Sequence, residues 1–188
     1  MGKITNPNDD IDYSYLAEAV HQPGDPDAKV PKQLRILRKI AAYLEVTSGY
    51  KCFVGVDVLS AEVAENALSI LEAPRPIIGQ PAGEGGLRRN ENWTLLLQGW
   101  PKDNKKMPSA PAYFMKAKVE QLLALIVAEL PDGRQRTDPL YKLGGDISGL
   151  TIGQGVVRPA GEAAPSRLAM FYLPLVIELQ TSSIDPYK

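Results

Sequence analysis

Few residues in this 188-residue chain could do chemistry, and their spacing narrows the choices further. There is one histidine, His21, and one cysteine, Cys52. A zinc site built on histidines is therefore impossible within one chain, as are a cysteine cluster and an intrachain disulfide. A hydrolase using a Ser/His or Cys/His pair would have to recruit His21, which lies in a polar leader ahead of Gln22-Pro23-Gly24. Cys52 falls in Lys51-Cys52-Phe53-Val54, where a free cysteine packs like a small hydrophobe and no neighbouring histidine activates it. Asp57, Glu62, Asp103, Asp138 and Asp146 offer carboxylates for acid–base work, but none forms a spaced motif, and isolated loop acids ordinarily serve solvation or capping. Gly83-Glu84-Gly85-Gly86 has the glycines of a phosphate-cradling loop without the Lys-Ser/Thr ending or the following helix. The expectation is no catalytic residue, no cofactor and no metal.

Charge adds a second constraint. Twenty-one Lys and Arg against 22 Asp and Glu give a net charge of −1, so a broad nucleic-acid footprint is not expected. A local basic set remains: Lys32, Arg35, Arg38 and Lys39 share one helix face, and Lys102, Lys105 and Lys106 cluster elsewhere. Such a face can meet phosphates or an acidic partner, although charge on the outer side of an amphipathic helix is usually solvated. No apolar run approaches the roughly 20 residues that cross a bilayer, and the start of the chain has no signal-like apolar core. The chain reads as soluble, made in the cytoplasm, unprocessed and without a membrane partner.

The elements that would position these groups follow from pattern. Residues 1–29 are polar, with a short possible helix from Tyr13 to Val20; this leader is either disordered or an arm that orders against a neighbour through Tyr13, Tyr15, Leu16 and Val20. After Pro31, Leu34, Leu37, Ile40, Ala41 and Leu44 mark an amphipathic helix that ends before Ser48-Gly49. Tyr50 to Val58 has strand composition, Ser60 to Glu72 reads as a short helix, and Pro74 to Gln80 as a strand. Gln80 to Asn90 is a glycine-rich connection from which Arg88 and Arg89 project.

Trp93 to Trp100 reads as a strand, and Ala112 to Leu130 as the longest helix, with Pro111 in its first turn. Met115, Val119, Leu122, Ile126 and Leu130 form its buried stripe. Leu123, Ala124, Leu125 and Val127 make its second half apolar on nearly every side, so Leu123, Leu125 and Val127 are candidates for contact with another copy. Asp138 to Gly145 is irregular or a single helical turn, Leu150 to Arg158 a strand bent by glycines, and Arg167 to Gln180 the longest strand. In that strand Leu173, Leu175, Ile177 and Leu179 share one face, and Pro174 should mark a bulge or an edge. The composite is one α/β domain of the α+β type over residues 30–180, between a polar arm (1–29) and a polar tail (181–188). A mostly antiparallel sheet with helices on one face is the expected architecture.

The element order then acquires a resemblance. An amphipathic helix, Gly49-Tyr50 leading into a mixed segment, a proline-led strand, Trp93-Thr94-Leu95-Leu96-Leu97-Gln98-Gly99-Trp100, a helix opening on Ala112-Tyr113, and a closing strand preceded by Gly155-Val156-Val157-Arg158-Pro159 together resemble the tail-terminator and tail-completion proteins of bacteriophages. The resemblance covers Pro31 to Gln180; the long leader and the Ser60 to Glu72 insertion depart from it. It implies a non-enzymatic virion protein that forms a six-fold ring at the head–tail junction, ends the tail tube and joins it to the neck connector, with DNA passing through the lumen unbound. Candidate contacts are Tyr13, Tyr15, Leu16, Arg88, Arg89, Leu123, Leu125 and Val127, together with docking loops at Gly83 to Gly86 and Gly153 to Gly155. Another neck adaptor or head-closure protein, or a DNA-binding adaptor using the basic set, are the alternatives.

Overall fold

A computed structural model describes residues 11–57, 65–73, 88–102, 106–107, 109–159, 169–182, 185 and 187. Ten elements follow in order: α1 (Ser14–Glu18), α2 (Lys32–Ser48), β1 (Lys51–Val54), β2 (Ala67–Glu72), β3 (Arg88–Trp100), α3 (Ala110–Val127), α4 (Lys142–Gly145), β4 (Gly149–Ile152), β5 (Val156–Arg158) and β6 (Met170–Ser182). The fold is α+β. Its sheet runs β1-β2-β3-β6-β4, with β5 also on β6, and every pairing is antiparallel except β1 with β2.

The long β3–β6 pair is the spine. Its register sets Trp93 opposite Ile177, Leu95 opposite Leu175 and Leu97 opposite Leu173, and all six are fully buried on one face. Alternation then sends Thr94, Leu96, Pro174 and Val176 to the other face, where they are half-buried. Across the buried face lie Ile36, Ile40 and Leu44 of α2 and Met115, Val119, Leu123 and Ile126 of α3, which complete a single core. The expected layering, helices against one sheet face, is what forms.

Gly99 belongs to this core for a steric reason. It sits opposite Phe171 in the ladder, and a Cβ at position 99 would overlap the Phe171 ring. The aromatic side chain covers the bare glycine backbone.

Pro174 sits at a bulge, as its missing N–H requires. Ile152 pairs with Leu175 and Val156 with Tyr172, so residues 153–155 stand opposite only Leu173 and Pro174. Gly153 N–H donates to the Pro174 carbonyl at 2.8 Å, which shows that Pro174 turns its backbone polar side toward this edge. The absent donor therefore falls where the ladder is already interrupted. Gly155 lets Lys116 of α3 and Leu173 approach the bulge closely; a Cβ there would overlap the Lys116 side chain.

Three expectations need correction. The Ser60 to Glu72 helix is replaced, over its described part, by β2: Leu68 and Ile70 enter the core and Ala67 to Glu72 pair with Leu95 to Trp100. Good helix formers lose here because the open side of β3 offers six ladder positions. β3 itself begins at Arg88, so Arg88 and Arg89 lie in a strand opposite Ser182 and Thr181, not at a loop tip. The arm is not free over its described part: Tyr13, Leu16 and Val30 are buried, Tyr13 and Leu16 within the chain's own core. Residues 1–10, the strand expected over Pro74 to Gln80 and the glycines at 83–86 lie outside the described residues.

Candidate interaction surface

The residues with chemical potential are dispersed. His21 is exposed on the arm, and Asp57 is exposed beyond β1. Cys52 packs against the core, and burial, reinforced by Glu45, pushes its thiol up to about 12, so it stays protonated and unreactive. Asp138 and Asp146 are engaged in ion pairs, and Glu62 and Asp103 lie outside the described residues. Among the described residues no group of three or more His, Cys, Asp or Glu is placed to hold a metal, and no helix is long and apolar enough to cross a membrane.

The basic face of α2 is not a solvated surface. Arg35 grips Asp146 through Nε and Nη2 at 2.7–3.1 Å, and Lys39 Nζ donates to the same carboxylate at 2.7 Å and to the Leu143 carbonyl at 2.8 Å. Arg38 forks onto Asp25 with two 2.7 Å bonds and reaches the Val20 carbonyl, while Lys32 donates to the Gln180 carbonyl. Burial alone would raise the Asp146 pKa, but the hydrogen bonds from Arg35 and Lys39 outweigh it and hold the carboxyl below its ordinary value. The Arg38 fork, helped by the Gln22 N–H, holds Asp25 down to about 2. Arg35, Arg38 and Lys39 therefore clamp the arm and the loop around α4 onto α2, and Lys32 ties α2 to β6. That loop needs a clamp: Lys142, Leu143, Gly144 and Gly145 all have positive φ (49°, 54°, 71° and 90°), a left-handed turn that costs two non-glycine residues energy.

A second such clamp went unread in the sequence. Arg136, only 4% exposed, holds Asp138 through Nε and Nη2 and donates from Nη1 to the Leu125 and Ala128 carbonyls. It thereby satisfies the C-terminal end of α3, where carbonyls lack helical partners. The signal available was the spacing Arg136-x-Asp138 just after an uncapped helix.

The expected contact residues divide sharply. Leu123 is 0% exposed and belongs to the core, because α3's buried stripe is Met115, Val119, Leu123 and Ile126; Leu122 is only half-buried. Tyr13 and Leu16 are buried in the chain's own core and Tyr15 packs against it, with burial, then Tyr13 and Asp12, pushing its hydroxyl up to about 12. Val127 is half-buried against the core. Leu123, Tyr13 and Leu16 are thus turned into the chain's own core, and Tyr15 and Val127 are half-buried against it. Leu125 is exposed, at 44%, on the outer side of α3, where Phe114 (78%) and Tyr113 (61%) join it.

At about 100° per residue, Tyr113, Phe114, Ala117, Lys118, Gln121, Ala124 and Leu125 occupy one arc of roughly 140°. All seven are exposed. Only Lys118, at one border, is charged, and it is turned toward the α2 terminus, donating to the Ser48 carbonyl with its ammonium over Tyr50. A helix that is apolar on its outer as well as its inner side has the composition of a buried helix. Among the described residues a concavity of about 340 Å³ between α1 and the Pro139–Gly144 loop is lined mainly by Ile11, Tyr13, Leu16 and Ala17, and Lys39 on its wall is already paired. No protein-family model matches the chain, and no curated protein sequence is significantly similar to it.

Proposed function

We propose that this chain is a structural virion protein that assembles as a ring at the head–tail junction of a bacteriophage, ending the tail tube and joining it to the neck. The observation that favours an assembly role is the outer face of α3: an exposed, mainly apolar surface whose one charge, Lys118, lies at its border. The phage context comes from the element order and from the Trp93 to Trp100 and Gly155 to Pro159 segments. A closed ring needs two unlike patches on each subunit. The sheet has two unlike edges, the short parallel strand β1 on one side and the bulged β4–β5 edge on the other, neither paired further among the described residues. The inward hydrogen bonds of Arg35, Lys39 and Arg38 to Asp146 and Asp25, and of Lys32 to the Gln180 carbonyl, weigh against a DNA-binding adaptor, since these donors are turned to partners within the chain.

The experiment is electron microscopy and light scattering of the purified protein, alone and mixed with phage tail tubes. Six-fold rings, or density capping tube ends, are expected. A protein that forms no ring and ignores tubes and connector rings at high concentration overturns the reading.

A further inference from the structure

We propose that the arm, over residues 11–29, is a releasable strap that opens as one unit from the folded body, with Arg38 as the pin that holds it shut. The strap's backbone hydrogen bonds close within it: Leu16 N–H donates to the Tyr13 carbonyl, Ala19 to Tyr15, Val20 to Ala17 and Asp25 to Gln22. Asp12 and Asp25 likewise accept from Ser14 and from the Gln22 N–H. Among the described residues, the hydrogen bonds that cross from the strap to the rest of the chain all leave one side chain. Arg38 of α2 donates from Nη1 to the Val20 carbonyl and to Asp25, and from Nη2 to Asp25, each at 2.7 Å. At the far end Lys29 adds only a cation–π contact, 5.9 Å from the Tyr187 ring.

Burial does little to add to this fastening. Of the strap's 19 residues, 13 are exposed and only Tyr13 and Leu16 are buried, so two anchors must offset the entropy of ordering the whole segment. The packing beneath them is incomplete. The concavity of about 340 Å³ lies between α1 and the Pro139–Gly144 loop, and the Tyr15 hydroxyl is buried without a hydrogen-bond partner. Opening returns that hydroxyl to water, which lowers the free energy of release. The sheet has no such weakness: β3 and β6 share twelve consecutive ladder positions. Few apolar anchors and few crossing hydrogen bonds are the marks of a segment that opens below the global unfolding free energy. Its hinge lies at Val30 and Pro31, where Val30 is buried and Pro31 precedes the first turn of α2. Opening draws Tyr13 and Leu16 out of the core beside Tyr43 and frees Arg38, while Arg35 and Lys39 stay on Asp146. The inference does not rest on the tail-junction reading.

The test is amide hydrogen exchange of the full chain, read by mass spectrometry on peptides covering residues 14–20 and β3. The strap peptide should exchange about tenfold or more faster than β3, yet more slowly than an unprotected chain. Arg38→Met keeps the apolar stem and removes the pin, and should speed strap exchange by a further tenfold or so, as expected for lost hydrogen bonds to a charged group. Lys32→Met is the control: Lys32 lies on the same helix but donates to the Gln180 carbonyl, so its loss should leave the strap unchanged. Asp25→Asn removes the charged acceptor from the strap's side and should act in the same direction as Arg38→Met, should that variant fail to fold by circular dichroism. A strap that exchanges together with β3 at one rate overturns the proposal, because it is then part of the global unit. A strap that exchanges at the unprotected rate in the native chain overturns it too, because nothing then holds it shut. So does a pin variant that fails to speed strap exchange, or one that speeds it no more than Lys32→Met. Ring formation or tube binding can fail in the previous experiment without affecting any of these readouts.

Discussion

Asp146 is the keystone of the charge network, and replacing it tests whether the basic face of α2 acts inward. Asp146→Ala leaves Arg35 and Lys39 facing each other without their shared carboxylate, with side chains only 23% and 15% exposed. Breaking a fully buried pair by removing one partner costs about 3–5 kcal/mol. The partial exposure of Arg35 lowers the expectation to about 2–3 kcal/mol, because water can reach the orphaned guanidinium. For a chain of this size that is a fall in melting temperature of roughly 5–10 °C, read by thermal denaturation. The exposed pair Arg134–Asp132, at 57% and 49%, is the control: Asp132→Ala should leave the melting temperature essentially unchanged. The pH dependence has a definite sign. Asp146 is held below its ordinary pKa, so its contribution is complete above the unfolded value of about 4 and is lost as pH falls through the lower folded value. The gap between native protein and Asp146→Ala should therefore be full at pH 7 and narrow below pH 4. A gap at pH 7 no larger than that of Asp132→Ala, or one that does not shrink in acid, would refute the clamp.

Two further predictions concern the core. Gly99→Ala should destabilise by about 1–3 kcal/mol in denaturant titration through overlap with the Phe171 ring, and Phe171→Leu in the same chain should recover part of that loss; simple additivity of the two changes would show that the ring is not the obstacle. Leu123→Ala should cost about 2–5 kcal/mol while Leu125→Ala costs less than about 1 kcal/mol, although the residues are two apart in an apolar run; equal losses would mean that α3 is rotated from the orientation described.

What could be read from the sequence was decided by whether the cause was local. Pro111 in the first turn of α3, the inward face of β6 and the proline bulge follow from neighbours within a few residues and appear where their pattern places them, while the α2 stripe does so at Leu37, Ile40, Ala41 and Leu44 but has Ile36 and Tyr43 buried and Leu34 only half-buried. The phase of α3's second half is not legible in the sequence, because Leu122 to Val127 is apolar on nearly every side and gives no polar residue to mark the outside; spacing points to Leu122 where the structure buries Leu123. β2 was lost for the opposite reason: residues with helix propensity are captured by pairing to a strand nearly thirty positions away. The basic face was misjudged because its partners, Asp25 and Asp146, lie 13 to 111 residues from the cations they hold. A helix projection shows that charges share a side but not what lies against that side.

The two helices on the sheet are finished in different ways, and the difference leaves one of them with an exposed apolar face. α2's outer side is closed by the chain itself: the arm and the α4 loop fold over it, each fastened by an ion pair that withdraws its cations from other uses. α3 is tied at its C-terminus by Arg136 and, at the border of its exposed arc, by Lys118 to the end of α2. Along its length it leaves Tyr113, Phe114 and Leu125 to water, and burying them against an apolar partner would yield roughly 1.5–3 kcal/mol for each side chain fully covered. Charged substitutions at Phe114 and Leu125 should thus be nearly neutral for the folded monomer and costly for whatever α3 joins, whereas charges at Leu123 should unfold the chain. That separation of stability from association is what distinguishes a surface built for assembly from an incompletely packed core.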